Sequence, residues 1–168
     1  MAAQKKVVVR QFKGGLSWGY LPTNGFLEHG SVTLMQADGR PKTIDFKDVK
    51  TICYVRDFNL DDQDDPERLG RKAFPARPRG EGLWLRLGFV DGDSLEGLSA
   101  FDMAFVDSLL EERGLFLTPP DARANAQRVF VPRAALTSLE VLGYITAPSK
   151  RVATQPAKDA GQPRLFAE

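Results

Sequence analysis

The stretch LWLRLGFV, residues 83–90, is followed by the dipeptide Asp91-Gly92 and by a second apolar run, SLEGL, at residues 94–98. An Asp-Gly pair between two apolar runs is the strongest short-range signal for a β-hairpin, because both residue types tolerate the positive φ that tight turns need. The sequence therefore predicts two antiparallel strands at this point. The hairpin opens a series of strands that extends to residue 142.

The first third of the chain contains apolar runs and turns in the same order as the segment that begins with this hairpin. Residues 12–19 match residues 89–97 with one residue fewer, and residues 44–46 match residues 129–131 ahead of a two-residue insertion. Recurrence of this kind is typical of a duplicated unit. We predict an all-β protein of two tandem five-stranded small barrels, SH3-like or Sm-like, each with a tight helical turn before its last strand.

Composition divides the chain into four segments. The barrels are predicted at residues 5–58 and 81–147. Residues 59–80, an acidic run followed by arginines and prolines, are predicted to be a linker that is mobile or draped over a barrel. Residues 148–168 are polar and proline-containing, which favours a disordered tail.

The second unit carries extra residues between its second and third strands. Phe101, Phe105 and Leu109 fall on one helical face, and Asp102 is a suitable N-cap. The sequence predicts a short helix there.

The composition excludes several classes of function. The net charge is +1, so no global charge favours nucleic acid, and direct nucleic-acid binding is not expected. One cysteine (Cys53, in a strand-like apolar run) and one histidine exclude an internal disulfide and an all-nitrogen/sulfur zinc site, and no catalytic triad is possible beyond that one histidine. No secretory or membrane-spanning segment is apparent, which predicts a cytoplasmic protein. We expect no enzyme activity and no cofactor.

Residues 5–145 as a whole resemble a family of uncharacterised bacterial proteins built from tandem small β-barrels. The likeness is strongest in Leu117-Thr118-Pro119-Pro120-Asp121 and in QRVFVPR at residues 127–133. That family implies the fold and carries no assigned activity.

The run GLSAFD at residues 97–102 resembles the start of the first motif of Sm-like RNA-binding proteins. That motif continues with an asparagine where this chain has Val106, and the second motif's Arg-Gly is Arg133-Ala134 here. Because the side chains that read RNA are replaced, this resemblance implies the fold and leaves an RNA-binding module as a second alternative.

PilZ domains, small barrels that bind cyclic di-GMP, are similar in placing arginines just before the barrel, where Arg77 and Arg79 stand. Guanidinium groups pair with phosphate and stack on guanine. Ser94 and Gly97 fit the PilZ Asp/Asn-x-Ser-x-x-Gly motif, although its first position is Gly92 and the arginine spacing differs. The resemblance implies a cyclic-dinucleotide sensor as the alternative function.

The peptide QPRLF, residues 162–166, resembles the Gln-x-x-Leu-Phe motif by which bacterial replication and repair proteins bind the DNA sliding clamp. The Gln162 amide can donate and accept at a pocket rim, while Leu165 and Phe166 can bury apolar surface. We therefore predict a non-catalytic binding or adaptor protein, tethered to the sliding clamp through Gln162, Leu165 and Phe166.

Overall fold

The computed structural model describes residues 4–22, 27–28, 30–111, 113–121 and 123–146, and the prediction of an all-β protein is confirmed. The predicted tail, with Gln162, Leu165 and Phe166, lies outside these residues. The strands are β1 (Gln4–Gln11), β2 (Leu16–Pro22), β3 (Leu27–Glu28), β4 (Ser31–Met35), β5 (Pro41–Asp45), β6 (Val49–Val55), β7 (Gly82–Phe89), β8 (Ser94–Ser99), β9 (Gly114–Leu117), β10 (Ala126–Pro132) and β11 (Leu136–Ile145).

The hairpin predicted at residues 83–98 is present as β7 and β8, which pair antiparallel. Its turn is closed by Phe89 N–H donating to the Asp93 carbonyl at 2.9 Å and by Gly92 N–H donating to the Phe89 carbonyl at 3.0 Å. Gly92 has a φ of 88°, a value that favours glycine. The Asp-Gly signal therefore located both strands and the turn.

The strands of the described residues form two sheets, and neither of these sheets closes on itself. An eight-stranded sheet has the order β3-β4-β2-β1-β6-β10-β9, with β5 paired to β4, and a three-stranded sheet has the order β11-β7-β8. The prediction of two closed five-stranded barrels is wrong in this respect. The reason is that β6 uses its second edge to pair with β10, so the first and second halves of the chain share one sheet.

Strands in the two halves nevertheless follow the same pairing order. The first half runs β6-β1-β2-β4-β5. The second runs β11-β7-β8, continues through a single bridge between Leu98 and Thr118 to β9, and ends with β10. A 3₁₀ turn precedes the last strand of each half, at Phe46–Asp48 and at Arg133–Ala135. The predicted helical turn before the last strand of each half is thus in place.

Three turn hydrogen bonds recur at corresponding places in the two halves. Gln11 N–H donates to Gly15 (2.9 Å) as Phe89 N–H does to Asp93 (2.9 Å). The bond from Phe12 to Asp48 (3.1 Å) corresponds to that from Val90 to Ala135 (3.0 Å), and the bond from Phe46 to Gly30 (3.0 Å) to that from Arg133 to Arg113 (3.0 Å). These pairs align Gln11, and not Phe12, with Phe89. They also align the two 3₁₀ turns and the strands on either side of them without the two-residue insertion that the sequence match required.

The hydrophobic core joins the two halves. One cluster combines Val8 and Cys53 of the first half with Leu85, Leu117 and other apolar residues of the second. The other cluster lies within the first half except for Phe130. Phe130 is fully buried, with its ring centroid 4.9 Å from that of Phe116 and 6.2 Å from that of Phe46.

The predicted short helix is confirmed as α1 (Met103–Leu110). The Asp102 carboxylate accepts a hydrogen bond from Phe105 N–H at 2.9 Å, which is the expected N-cap. Phe105 and Leu109 pack against the core, whereas Phe101 is 63% exposed. Among the described residues, no helix has the length and apolar character required to cross a bilayer.

Cys53, which stands in a strand-like apolar run of the sequence, is a buried free cysteine of β6. Burial raises the pKa of its thiol to about 12. Because the thiolate is the reactive form, this environment suits a packing residue and disfavours a nucleophile.

Candidate ligand-binding cleft

A cleft of about 350 Å³ lies between the connecting segment and the strands on which it rests. The floor is formed by β1 and β6, and one end is closed by the β7–β8 turn. Segment 64–72 forms the remaining wall. The lining side chains are Arg10, Lys50, Thr51, Asp64, Asp65, Glu67, Leu69, Lys72, Phe89, Asp93, Ser94 and Leu95.

Several hydrogen bonds hold the connecting segment in place. Two side-chain amides, those of Asn59 and Asn125, donate to the Pro66 carbonyl at 3.2 Å and 3.0 Å. The Asp65 backbone N–H donates to the Asp62 carboxylate at 3.0 Å. The segment therefore has a defined path, and Pro66 and Glu67 are buried in it.

The distal part of the segment is anchored by Glu96 of β8, which is only 6% exposed. Its backbone N–H donates to the Lys72 carbonyl at 2.7 Å. Its carboxylate accepts hydrogen bonds from Phe74 N–H at 3.0 Å, from Trp84 Nε1–H at 3.1 Å and from Arg86. Although burial opposes ionisation, these donors lower the pKa of Glu96 below its usual value. Glu96 thereby anchors the connecting segment to β8.

The central feature of the cleft is an ion pair between Arg10 of β1 and Glu67 of the connecting segment. The Arg10 Nε–H donates to Glu67 Oε1, and this bond raises the pKa of Arg10. The Glu67 side chain is 5% exposed, while that of Arg10 is 31% exposed. Glu67 Oε2 is buried and has no hydrogen-bond partner among the described residues. A buried carboxylate oxygen without a hydrogen bond is costly, and because Glu67 lines the cleft, a hydrogen-bond donor in the cleft would reduce this cost.

The other end of the cleft holds a compact charge network. Lys50 Nζ donates to Asp91 at 2.6 Å and to Asp93 at 2.9 Å, and Lys72 Nζ donates to Asp93 at 2.6 Å. Burial would raise the pKa of Asp93, but the bonds from Lys72 and Lys50 lower it to about 2. Lys50 also lies 5.2 Å from the centre of the Phe89 ring. Both lysines are thereby occupied by carboxylates.

We expect Asp93 to contribute stability that disappears in acid. The pKa of Asp93 is about 2 against an ordinary value of 3.8, so the contribution is complete above about pH 4 and is lost as the pH falls toward 2. Since Asp93 is about one-third exposed, the effect should be about 1 kcal/mol. Urea unfolding across this range should show a shallower acid loss for Asp93→Asn than for wild type. Asp38→Asn, at an exposed turn, is the control, and equal acid slopes in all three proteins would contradict the expectation.

Negative charge is in excess at the Glu67 end. Asp64, Asp65 and Glu67 line this end, and Arg10 is the one cation opposite them among the described lining residues. Burial, together with the charge of Glu67, raises the pKa of Asp65. Among the described residues, no group of three or more His, Cys, Asp or Glu side chains has the arrangement of a metal site. This end of the cleft therefore suits an organic cation or another ligand rich in N–H donors.

The residues predicted for nucleotide binding are only partly at the cleft. Ser94 lines it. Gly97 is buried, and a Cβ at that position would lie 2.9 Å from the Leu117 side chain. Arg77 and Arg79 are exposed residues of the connecting segment and do not line the cleft.

Sequence analysis did not single out Arg10, Lys50 or Glu67. Glu67 follows a run of aspartates that is typical of a solvated surface, and its burial depends on Arg10, 57 residues away. The available local signal was Pro66-Glu67 directly after the acidic run, which interrupts it with a residue suited to a fixed turn.

Comparisons with known proteins place the chain in a family. No curated protein and no solved structure matches it. One family model, described as a family of unknown function (DUF6982), matches residues 3–143. The match extends from β1 almost to the end of β11 and so includes every strand of both sheets. The chain therefore belongs to this family of unknown function, DUF6982.

Proposed function

We propose that this protein is a non-catalytic binding module built from two copies of one small five-stranded β-unit. The shared pairing order and the three recurring turn bonds support the duplication. In this arrangement the units share a sheet, and the connecting segment covers the β1–β6 surface to create the cleft. The fold thus supplies a rigid frame, and the connecting segment supplies the ligand-binding groups.

The ligand we propose for the cleft is a small organic cation with several N–H donors, such as an amine or a guanidine. The observation that carries this proposal is the buried, unpartnered Oε2 of Glu67. A donor placed there satisfies the oxygen, and its charge is balanced by Asp64 and Asp65. Phosphate-bearing ligands fit less well, because Arg10, Lys50 and Lys72 are already paired with carboxylates.

Isothermal titration with putrescine, spermidine and agmatine tests the proposal. We expect one of them to bind the wild-type protein and to bind Glu67→Gln about tenfold more weakly, since a hydrogen bond to a charged group is lost. Asp38→Asn, an exposed carboxylate outside the cleft, is the matched control and should bind as wild type. Absence of binding heat from all three amines at millimolar concentration would reject an amine site.

A second candidate function is tethering to the DNA sliding clamp, which is favoured by the peptide Gln162-Pro163-Arg164-Leu165-Phe166. A short peptide of this kind can bind in a preformed apolar groove through a few anchor side chains. Fluorescence anisotropy of a labelled peptide covering residues 159–168, titrated with a bacterial sliding clamp, should give micromolar binding that Phe166→Ala abolishes. If the protein truncated after Lys158 bound the clamp as tightly as the full-length protein, the tether would be excluded.

Cyclic-dinucleotide sensing is the alternative that the exposed Arg77 and Arg79 still favour. Neither guanidinium forms an ion pair with another described residue, so both are available to phosphate. Calorimetry with cyclic di-GMP should then show binding that the double variant Arg77→Ala/Arg79→Ala removes. Absence of heat at high micromolar ligand would reject this alternative.

A further inference from the structure

The outer edge of β11 is a ten-residue strand edge that pairs with nothing among the described residues. β11 pairs with β7 along its inner edge only. Three of its large apolar side chains are exposed: Leu139 by 39%, Val141 by 57% and Tyr144 by 52%. Long apolar edge strands present unpaired N–H and C=O groups, and they are templates for a further strand.

A comparison with β6 shows what β11 lacks. Each strand directly follows a 3₁₀ turn and pairs with the first strand of its half. Ile52 stands three residues into β6 and Leu139 three residues into β11. Ile52 is fully buried, with Phe130 of β10 opposite it, whereas Leu139 remains exposed. The missing element at β11 is therefore a strand equivalent to β10.

The chain carries such a strand in β5. β5 directly precedes the first 3₁₀ turn as β10 precedes the second. Ile44 pairs with Val32 of β4 in the way that Val131 pairs with Leu115 of β9. Among the described residues β5 pairs with β4 alone, so its outer edge is open. The two open edges of one chain thus correspond to the two edges that meet inside it.

We propose that β11 of one copy pairs antiparallel with β5 of a second copy, in the register that joins β6 to β10. This inference rests on the duplication proposed above. Within the chain, β6 and β10 set Ile52, Cys53 and Tyr54 opposite Phe130, Val129 and Arg128. When the two 3₁₀ turns are superposed, β11 corresponds to β6 and β5 corresponds to β10. The same register then sets Leu139, Glu140 and Val141 opposite Thr43, Lys42 and Pro41 of the second copy.

The side chains brought together in this register are complementary. Glu140 and Lys42 have opposite charges and are exposed in the single chain. Pro41 lacks an N–H and is therefore suited to an edge strand, where its ring can cover Val141. Proline and lysine on β5 also discourage indiscriminate strand addition, so a partner edge needs a carboxylate at the right position. Two β11 strands paired about Glu140 would instead set like charges opposite each other.

A contact between two different edges is head-to-tail and repeats until it closes into a ring or extends as a fibre. Light scattering coupled to size exclusion should therefore give masses that are multiples of 18.6 kDa and that rise with protein concentration. A mass of one chain throughout the accessible concentration range would overturn the proposal. Amine and clamp titrations are separate measurements, so failure here and failure of the proposed functions can be told apart.

Charge exchange identifies the partner edge. Glu140→Lys and Lys42→Glu should each weaken self-association about fivefold, because like charges then lie opposite. An equimolar mixture of the two variants should associate again, since every contact in an alternating assembly pairs lysine with glutamate. Association lost in Glu140→Lys but unaffected in Lys42→Glu would overturn the assignment of β5. Because Glu140 also pairs with Arg86 at 3.1 Å, thermal unfolding should confirm that both variants fold, and Lys42→Glu tests the contact independently.

Discussion

Replacing Phe130 by alanine should lower the free energy of unfolding by about 3–5 kcal/mol, the range for a buried aromatic ring. Phe130 is fully buried in β10 and lies opposite Ile52 of β6 and Phe116 of β9. Its ring also contacts Phe46 of the first 3₁₀ turn. The substitution therefore opens a cavity where the two halves of the chain meet. Urea unfolding followed by tryptophan fluorescence measures the loss.

The matched control is Phe101→Ala, which removes the same atoms from a side chain that is 63% exposed. We expect this variant to stay within about 0.5 kcal/mol of wild type, as surface substitutions usually do. If Phe130→Ala cost no more than the control, the shared sheet would contribute little to stability. A second, earlier unfolding step in Phe130→Ala would instead show that the two halves can unfold separately.

The local elements could be predicted because their signals are local. β4 occupies residues 31–35, where apolar and polar residues alternate with the period of a strand that has one buried face. The Asp-Gly turn and the Asp102 cap likewise depend on residues within a few positions of each other. Such signals predict the order of the strands in both halves, except for the two-residue β3 of the first half.

The shared sheet could not be predicted because strand pairing between distant segments leaves no local trace. An apolar run such as Ile52-Cys53-Tyr54-Val55 reads the same whether the strand closes its own barrel or joins a neighbouring unit. Either arrangement buries both faces and both edges of the strand. Here the second edge of β6 pairs with β10, which leaves the two sheets open.

The correspondence between the halves was shifted for a related reason. Sequence matching aligned Phe12 with Phe89 because both are aromatic, while the turn hydrogen bonds align Gln11 with Phe89. This position is occupied by the partly buried amide side chain of Gln11 in the first half and by the buried ring of Phe89 in the second. Backbone geometry was retained while side-chain polarity changed, so matching by hydrophobicity placed the register one residue too far along.

The Glu67 site was hidden from sequence analysis because its chemistry depends on tertiary structure. A glutamate after an aspartate run is typical of a solvated surface. The side-chain amides of Asn59 and Asn125 hold the Pro66 carbonyl, and this places Glu67 against β1. Only then does the Arg10 guanidinium meet a carboxylate that water barely reaches.

Replacing Arg10 by methionine should lower the free energy of unfolding by about 2–3 kcal/mol. The change removes the only cation that pairs with Glu67 among the described residues, and it leaves a buried carboxylate without compensation. The estimate is below the full cost of breaking a buried ion pair because Arg10 is 31% exposed and the cleft admits water. Urea unfolding at neutral pH measures the effect.

Glu67→Leu and the double variant Arg10→Met/Glu67→Leu complete a thermodynamic cycle. Glu67→Leu alone should cost about 1 kcal/mol, because the remaining guanidinium can turn toward water and toward Asp65. The double variant should regain most of the stability lost in Arg10→Met, since neither buried charge nor orphan oxygen remains. Equal losses in both single variants would mean that the two groups are equally accessible to solvent. A cycle with no coupling would mean that the Arg10–Glu67 ion pair adds no net stability, and it would contradict the expected loss in Arg10→Met.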